Sequence, residues 1–331
     1  MGQTATLKKI SEQLSLSIST VSRALKDHPD ISENTRRKVK ELAALMEYEP
    51  NALAVNLRTS KSRVLGLIVP SISNMFNDSF IAAAENDARK SGYSLMILQS
   101  GDDALKEAEN LKLCKHYRVD GIMISVVADS SSPEIFKRYN EIGVPVVFFD
   151  RVPESGNFDT VCMADEEAAI LAASTIIKYK KKNVLGLFGN ADLSITKKRK
   201  DAFSRILDRE GAAVKYRLVC CKNSQEAFDT VTAALTSPDQ PDTLFCMSDE
   251  LLIGAMKYIN KAGLRVPDQV SVLAISNGFI PGLFSPEITY IETSGYELGK
   301  LAISRMLEKL EEKTPAKSIL LPSRFVEGGS L

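Results

Sequence analysis

From residue 64 onward the chain keeps returning to one pattern, a short and nearly continuous apolar run followed by a helical stretch of about ten residues or more. The runs are VLGLIV (64–69), SLMIL (94–98), GIMIS (121–125) and VPVVFFD (144–150), then NVLGLF (183–188), RLVCC (217–221), DTLFCM (242–247) and VSVLAIS (270–276). A strand that is apolar on both sides must be covered on both faces. Strands alternating with helices are joined by crossovers into parallel sheets. The pattern therefore predicts buried parallel sheets, and its division into two series of roughly 110–130 residues predicts two similar α/β subdomains. No run is long enough to span a bilayer.

Residues 1–48 keep a different rhythm, with helical periodicity only. Leu7, Ile10 and Leu14 share one face of a first helix, and Val21, Ala24 and Leu25 mark a second. Val39, Leu42, Leu45 and Met46 mark a third, opened by Ser32 as N-cap. The first two, with the turn 15–17 between them, read as a helix-turn-helix. Ser17 is placed to cap the second helix by accepting from the amide of Ser19 or Thr20. Val21 and Leu25 are expected to be its buried face. That leaves Ile18, Ser19, Ser22 and Arg23 outward near the N-terminal end, the end such a motif inserts into the major groove. Small side chains permit close approach, and Arg23 is suited to a two-bond contact with guanine. The same spacing also suits a plain helical bundle. Charge adds a mild hint: residues 1–63 hold eleven Lys/Arg against seven Asp/Glu, a net of +4, whereas the whole chain balances at 42 of each.

Several classes of function are disfavoured. Five cysteines without a Cys-x-x-Cys pair point to a reduced, cytoplasmic setting. With two histidines, a histidine-rich metal site or triad is not expected. Neither Gly-x-Gly-x-x-Gly nor a P-loop follows any strand, so a nucleotide-dependent enzyme is not expected, nor any cofactor. The N-terminus has no apolar signal segment, which speaks against a secreted solute-binding protein.

At STVSRAL, ISENTRRKV, YEPNALAVNLRT and VLGLIVPSISN the sequence resembles the lactose/galactose repressor (LacI/GalR) family of bacterial transcription regulators. The likeness continues through RVDGIMIS, VPVVFFDR, SDELLIGAMKYINKAGLRVPDQVSVLAIS and ILLPSRFVEGG. It implies an all-α helix-turn-helix headpiece (1–48), a hinge helix and linker (49–63) and a periplasmic-binding-protein-like body (64–331) of two doubly wound parallel-sheet subdomains. Lobe 1 would comprise about 64–162 and 293–322, and lobe 2 about 163–292 and 323–331. It further implies a cytoplasmic, homodimeric repressor of a pseudo-palindromic double-stranded operator, with no membrane association. Its operator affinity would be changed by a small metabolite, a sugar or sugar derivative, bound between the lobes. The alternatives are a nucleobase or other non-sugar effector, or a solute-binding protein without DNA function.

By the same resemblance, DNA contacts fall on Thr6, Leu7, Ser17, Ile18, Ser19, Thr20, Ser22, Arg23, His28, Ser32 and Thr35, and in the hinge on Asn51, Ala54, Leu57 and Arg58. Leu57 would be an apolar wedge in the minor groove. A helix over 51–57 is too short to stand alone, so its order would be coupled to binding. Effector contacts fall on Ser73, Phe76 (an aromatic platform), Asn77, Ser125, Asp150, Asp165, Arg199, Ser248, Asp249 and Ser276. For Asp150 a turn role, and for Arg199 a solvated helix face, are equally open.

The chain departs from the family pattern at several of these places. Ser15 stands where the turn glycine is usual; if that position is left-handed, serine costs about 0.5–1 kcal/mol. Asn77 replaces a second aromatic, Ala164-Asp165 an Asp-Asn pair, Ser248-Asp249 an Asn-Asp pair, and Ser276 an aspartate. The cleft therefore reads as remodelled. With no tryptophan in the chain, sugar stacking would rest on Phe or Tyr. Lys197, Lys198, Arg199 and Lys200 near the rim suggest an anionic ligand, a sugar acid or sugar phosphate.

Overall fold

The computed structural model of the chain describes residues 6–48, 61–128, 130, 133–153, 155–210, 214–312 and 314–331. The expected hinge helix, with Asn51, Ala54, Leu57 and Arg58, lies outside the described residues. The chain divides into two compact units, residues 1–62 and 63–331.

In the first unit, α1 (Leu7–Leu14), α2 (Ile18–Ala24) and α3 (Glu33–Leu45) each open on a hydroxyl cap. Thr6 accepts from the Lys9 amide at 3.3 Å, Ser17 from Thr20 at 3.1 Å and Ser32 from Thr35 at 3.3 Å, which satisfies an amide that the first helical turn leaves over. Ser15 ends α1 at φ 52, ψ 39, so the turn does use the left-handed conformation at this position. Ile10, Val21, Ala24, Val39 and Ala43 form a buried core, ringed by half-buried Leu7, Leu14, Leu25, Leu42 and Met46. Ala24 is fully buried beside Val21, and Leu25, the cap of α2, packs half-buried against the same core. One expectation needs correction. Leu45 is 83% exposed, and Ala43 takes its place; the buried row of α3 runs Val39 to Ala43, and Leu45 lies about 200° further round.

The second unit holds two sheets. Lobe 1 begins β1 (Val64–Val69), α4 (Met75–Lys90), β2 (Ser94–Gln99), α5 (Ala104–His116), β3 (Gly121–Ile124), α6 (Pro133–Glu141), β4 (Val146–Phe149) and β5 (Asp159–Met163). Lobe 2 continues with α7 (Asp165–Lys178), β6 (Asn183–Phe188), α8 (Ser194–Glu210), β7 (Lys215–Cys220), α9 (Ser224–Leu235), β8 (Thr243–Cys246), α10 (Asp249–Ala262), β9 (Ser271–Ser276) and β10 (Thr289–Glu292). The chain then returns to lobe 1 with α11 (Gly295–Glu311) and β11 (Ser318–Leu321), and ends on lobe 2 with β12 (Arg324–Val326). The sheet orders are β11-β5-β4-β3-β1-β2 and β12-β10-β9-β8-β6-β7. Every pairing is parallel except that of β12 with β10. Three strand-to-strand passages between the lobes follow from this order.

Sequence periodicity missed β5, β10, β11 and β12. β5 starts on Asp159, a buried carboxylate that reads as a turn residue until its partner is known: Arg305 on α11 donates to it through Nε at 2.7 Å. β11 and β12 are short edge strands with no fully buried residue; β11 alternates in exposure, with Leu320 62% exposed, and neither carries a long continuous apolar run. The central strands behave as their composition requires: Leu67 pairs with Ile97 and Met123 across neighbouring strands, and β3 and β4 are buried throughout. α4 and α11 approach closely at Gly295 and Gly299, where a Cβ would lie 2.3 Å from the Phe76 carbonyl oxygen and 2.5 Å from that of Phe80. Phe80 then stacks on Phe149 with ring centroids 3.9 Å apart, seating α4 on the sheet. Among the described residues no helix is long and apolar enough to cross a membrane.

Candidate functional site

On α2 the outward end is as expected. Ile18 is 49% exposed, Ser19 and Arg23 are exposed and Ser22 is half-buried. The Ser17 hydroxyl also lies 2.8 Å from those of Ser19 and Thr20, so three of the four leading residues form one local hydroxyl cluster around the helix start. Helix N-termini carry free amides and partial positive charge, which suits backbone phosphates; Thr6, Ser17 and Ser32 mark three such ends. His28 is exposed and its Nδ1 accepts from the Asp30 amide at 3.3 Å. Thr35 is hydroxyl-bonded to Ser32 at 2.8 Å. Leu7 is half-buried against the headpiece core, so its side chain is engaged in packing.

In the body, strand ends and helix starts gather ionisable groups from both lobes. Asp150 follows β4 in lobe 1 and adopts φ 57, a left-handed conformation rare outside glycine. Burial pushes its carboxyl above the ordinary carboxylate value, against the opposing charges of Arg151 and Arg199. Asp165 opens α7 in lobe 2 and is 5% exposed; burial raises its pKa too, opposed chiefly by Arg199 and reinforced by Asp150. Arg199, on α8 and also 5% exposed, is therefore no solvated helix face. Its Nε and Nη2 meet Asp165 Oδ1 at 2.9 and 2.8 Å, and its Nη1 donates to the Met247 carbonyl at 2.9 Å. Lys197 and Lys198 are exposed; Arg199, expected beside them at the rim, is locked inside.

Asp249, at the start of α10, accepts from the Ser276 hydroxyl and, at 3.0 Å, from the Asn277 amide. Asp249 and Ser276 thus tie α10 to the end of β9, so Ser276, which stands where the family pattern has an aspartate, is engaged in an internal clamp. Burial raises Asp249, opposed by these hydrogen bonds. Asn77 is buried and its Nδ2 donates to the Ser71 carbonyl at 2.9 Å, a structural tie at the head of α4. Phe76 beside it is half-buried, capped through its amide by Asn74 at 2.8 Å, and Ser73 is exposed in the preceding turn. Ser125, at the end of β3, is fully buried and its hydroxyl completes no hydrogen bond.

Residues outside the sequence-predicted set complete the site. Asn277 bridges the lobes: its Nδ2 donates to the Met75 carbonyl at 3.3 Å and the Ser79 hydroxyl at 3.1 Å, and its Oδ1 accepts from the Gly295 amide at 2.9 Å. Arg151, next to Asp150, pairs with Asp102, and its charge also reaches Glu250 at the start of α10. Thr196 on α8 is buried with an unpaired hydroxyl close to Gly189 and Met247. Adjacency to Asp150 was the available signal for Arg151; nothing in the sequence distinguished Asn277 or Thr196. A separate hollow of about 440 Å³ on lobe 2, lined by Met256, Leu264, Arg265, Leu283 and Pro286 among others, contains none of the sequence-predicted residues. Among the described residues no group of His, Cys, Asp and Glu is arranged to hold a metal ion.

Comparison with known proteins places both units. Residues 6–51 match the family described as bacterial regulatory proteins, lacI family, and residues 62–328 match periplasmic binding proteins and sugar binding domain of LacI family. The chain is 27% identical over 322 residues to the HTH-type transcriptional repressor PurR of Vibrio campbellii (strain ATCC BAA-1116), covering 95% of each chain. It is 27% identical over 311 residues to the PurR of Aliivibrio salmonicida (strain LFI1238), covering 93% of each. Its fold is similar to that of the Lac repressor dimer bound to operator and the anti-inducer ONPF, with a TM-score of 0.88 at 20% identity, over 99% of each chain. It is also similar to a LacI family transcriptional regulator from Enterococcus faecium with bound ribose, with a TM-score of 0.73 at 21% identity, over 81% of this chain and 98% of that one.

Proposed function

We propose, from the premise that this chain belongs to the LacI family of bacterial regulatory proteins and is a DNA-binding transcription repressor of that kind, that it binds its operator as a homodimer and is switched by a small ligand held between the lobes. The observation that carries this reading is the union of two parts in one chain. One is a capped helix-turn-helix whose outward end stays small and hydroxyl-rich. The other is a body whose two lobes bring Asp150 and the Asp165–Arg199 pair together.

The mechanism follows from linkage. Two copies of α2 on a two-fold dimer would enter successive major-groove half-sites, with Ile18 against a thymine methyl and Arg23 at a base edge or phosphate. A ligand bridging Asp150 in lobe 1 and the α7–α8 pair in lobe 2 would change how the lobes meet, a change felt at Asn277, which already bonds across them. Ligand and operator affinities would then alter one another reciprocally. A sugar-like ligand is supported by neighbouring structures containing ribose and D-xylulofuranose; a nucleobase, able to stack on Phe76, is the alternative occupant. Action on DNA implies a cytoplasmic protein.

The test is operator selection from random DNA by the full chain and by a truncation lacking residues 1–60. The full chain should enrich a pseudo-palindrome, with an affinity that falls steeply with salt. A truncation that binds the selected site equally well would overturn the reading.

A further inference from the structure

We infer that Asn277 is a positioning residue joining Asp249, at the strand ends of lobe 2, to the paired helices α4 and α11 of lobe 1. A contact made at Asp249 is passed through it to lobe 1, and so to operator affinity. This rests on reading the protein as a ligand-switched repressor and adds the route of the switch. Asn277 faces both lobes. Its main-chain amide is held in lobe 2, where it donates to Asp249 Oδ2 at 3.0 Å. Asp249 Oδ1 accepts from the Ser276 hydroxyl, which itself accepts from the Gly278 amide at 3.0 Å, so residues 276–278 are arranged around one carboxylate.

The side chain is engaged in lobe 1. Its Nδ2 donates to the Met75 carbonyl and the Ser79 hydroxyl on α4, and its Oδ1 accepts from the amide of Gly295, which opens α11. Turned over, the amide would set its oxygen against the Met75 carbonyl and its N–H groups against that of Gly295, so one orientation fits. A Cβ on Gly295 would lie 2.5 Å from the Ser79 hydroxyl, so Asn277 meets the two helices where they touch, and their close contact there and at Gly299 makes them one piece. The neighbouring passage between the lobes is bonded to the same joint: Thr293 donates to the Ser276 carbonyl through its amide at 2.8 Å and its hydroxyl at 3.3 Å. A displacement of Asp249 therefore moves a continuous hydrogen-bonded chain that ends on α4 and α11. Asp249 is half-buried and is among the effector positions implied by the family pattern. A carboxylate accepts about four hydrogen bonds; Ser276 and Asn277 account for two, so a ligand donor can engage Asp249 without breaking the joint.

The experiment is a double-mutant cycle on the full chain, Asp249→Ala with Asn277→Ala, read as affinity for the selected operator duplex at a temperature where every variant is folded. Each single variant should change operator affinity about tenfold and in the same direction. The double variant should change it no further than the larger single, because the two residues act as one unit. Asn277→Asp, which keeps the acceptor for Gly295 but sets an oxygen against the Met75 carbonyl, should change affinity at least as much as Asn277→Ala. A merely structural role would lower melting temperatures while leaving the folded variants within about twofold of the parent in operator affinity. That result for any single variant overturns the inference, as do opposite directions or single effects that multiply in the double variant; the repressor reading then stands. If the parent chain enriches no operator, the repressor reading itself fails and the inference with it.

Discussion

Replacing Arg199 by Met is the sharpest perturbation of the site, because it leaves Asp165 buried without its guanidinium and removes the donor to the Met247 carbonyl. Removing one partner of a buried ion pair costs about 3–5 kcal/mol, since the survivor is an uncompensated charge. Arg199→Met should therefore lose that much stability at neutral pH in urea unfolding followed by far-UV circular dichroism, the chain having no tryptophan to report by fluorescence. The double variant Asp165→Leu/Arg199→Met, which buries no charge there, should recover most of the loss, to within about 1 kcal/mol of the parent. Acid has a defined effect. Burial already holds the folded-state pKa of Asp165 above its ordinary 3.8, and Arg199 is the main influence opposing that rise. Without Arg199 it climbs further, so the deficit is full above the variant's folded value, shrinks as pH falls through it, and levels off at the cost of the lost Met247 bond once the carboxyl is protonated in both folded proteins. A single variant that loses less than about 1 kcal/mol, or a deficit that does not shrink toward acid, would refute the account of Arg199 as a buried, charge-balancing group.

Ser15→Gly relieves a left-handed serine and should slow hydrogen exchange of the Val21 and Ala24 amides about two- to fivefold, the equivalent of about 0.5–1 kcal/mol; unchanged or faster exchange would mean the turn holds no strain at Ser15. Gly299→Ala places a Cβ against the Phe80 carbonyl and should lower stability by about 1–3 kcal/mol, read as a drop in melting temperature. Asn277→Ala removes three side-chain bonds between the lobes and should change the ligand-free scattering profile of the body as well as its stability. Leu57→Ala should weaken operator binding and bending while leaving non-specific affinity nearly intact, measured by titration of selected and random duplexes.

Much of the architecture could be read before any coordinates, for a plain reason. Strands such as 64–69 and 183–188 are covered on both faces by their own neighbouring helices, and that coverage is written as an unbroken apolar run. The Ser17 and Ser32 caps were similarly legible, since an N-cap acts on an amide only three residues away, while the Thr6 cap was not read. Edge strands β11 and β12 were hidden because one side faces solvent and the run breaks up.

The site divides along the same line. The family resemblance placed Asp150, Asp165 and Arg199 as candidates and put Ser15 where a turn glycine is usual, a position the chain does hold left-handed. Whether Arg199 faced water or protein, and whether it was free for an anion, had no local signature. Its partner lies 34 residues away and its carbonyl acceptor 48 away, on elements that meet only when the second sheet is built. Asn277 reaches the head of α4 across 202 residues for the same reason. Periodicity records which face of an element is buried; which charges end up paired is decided by the passage of the chain between two lobes.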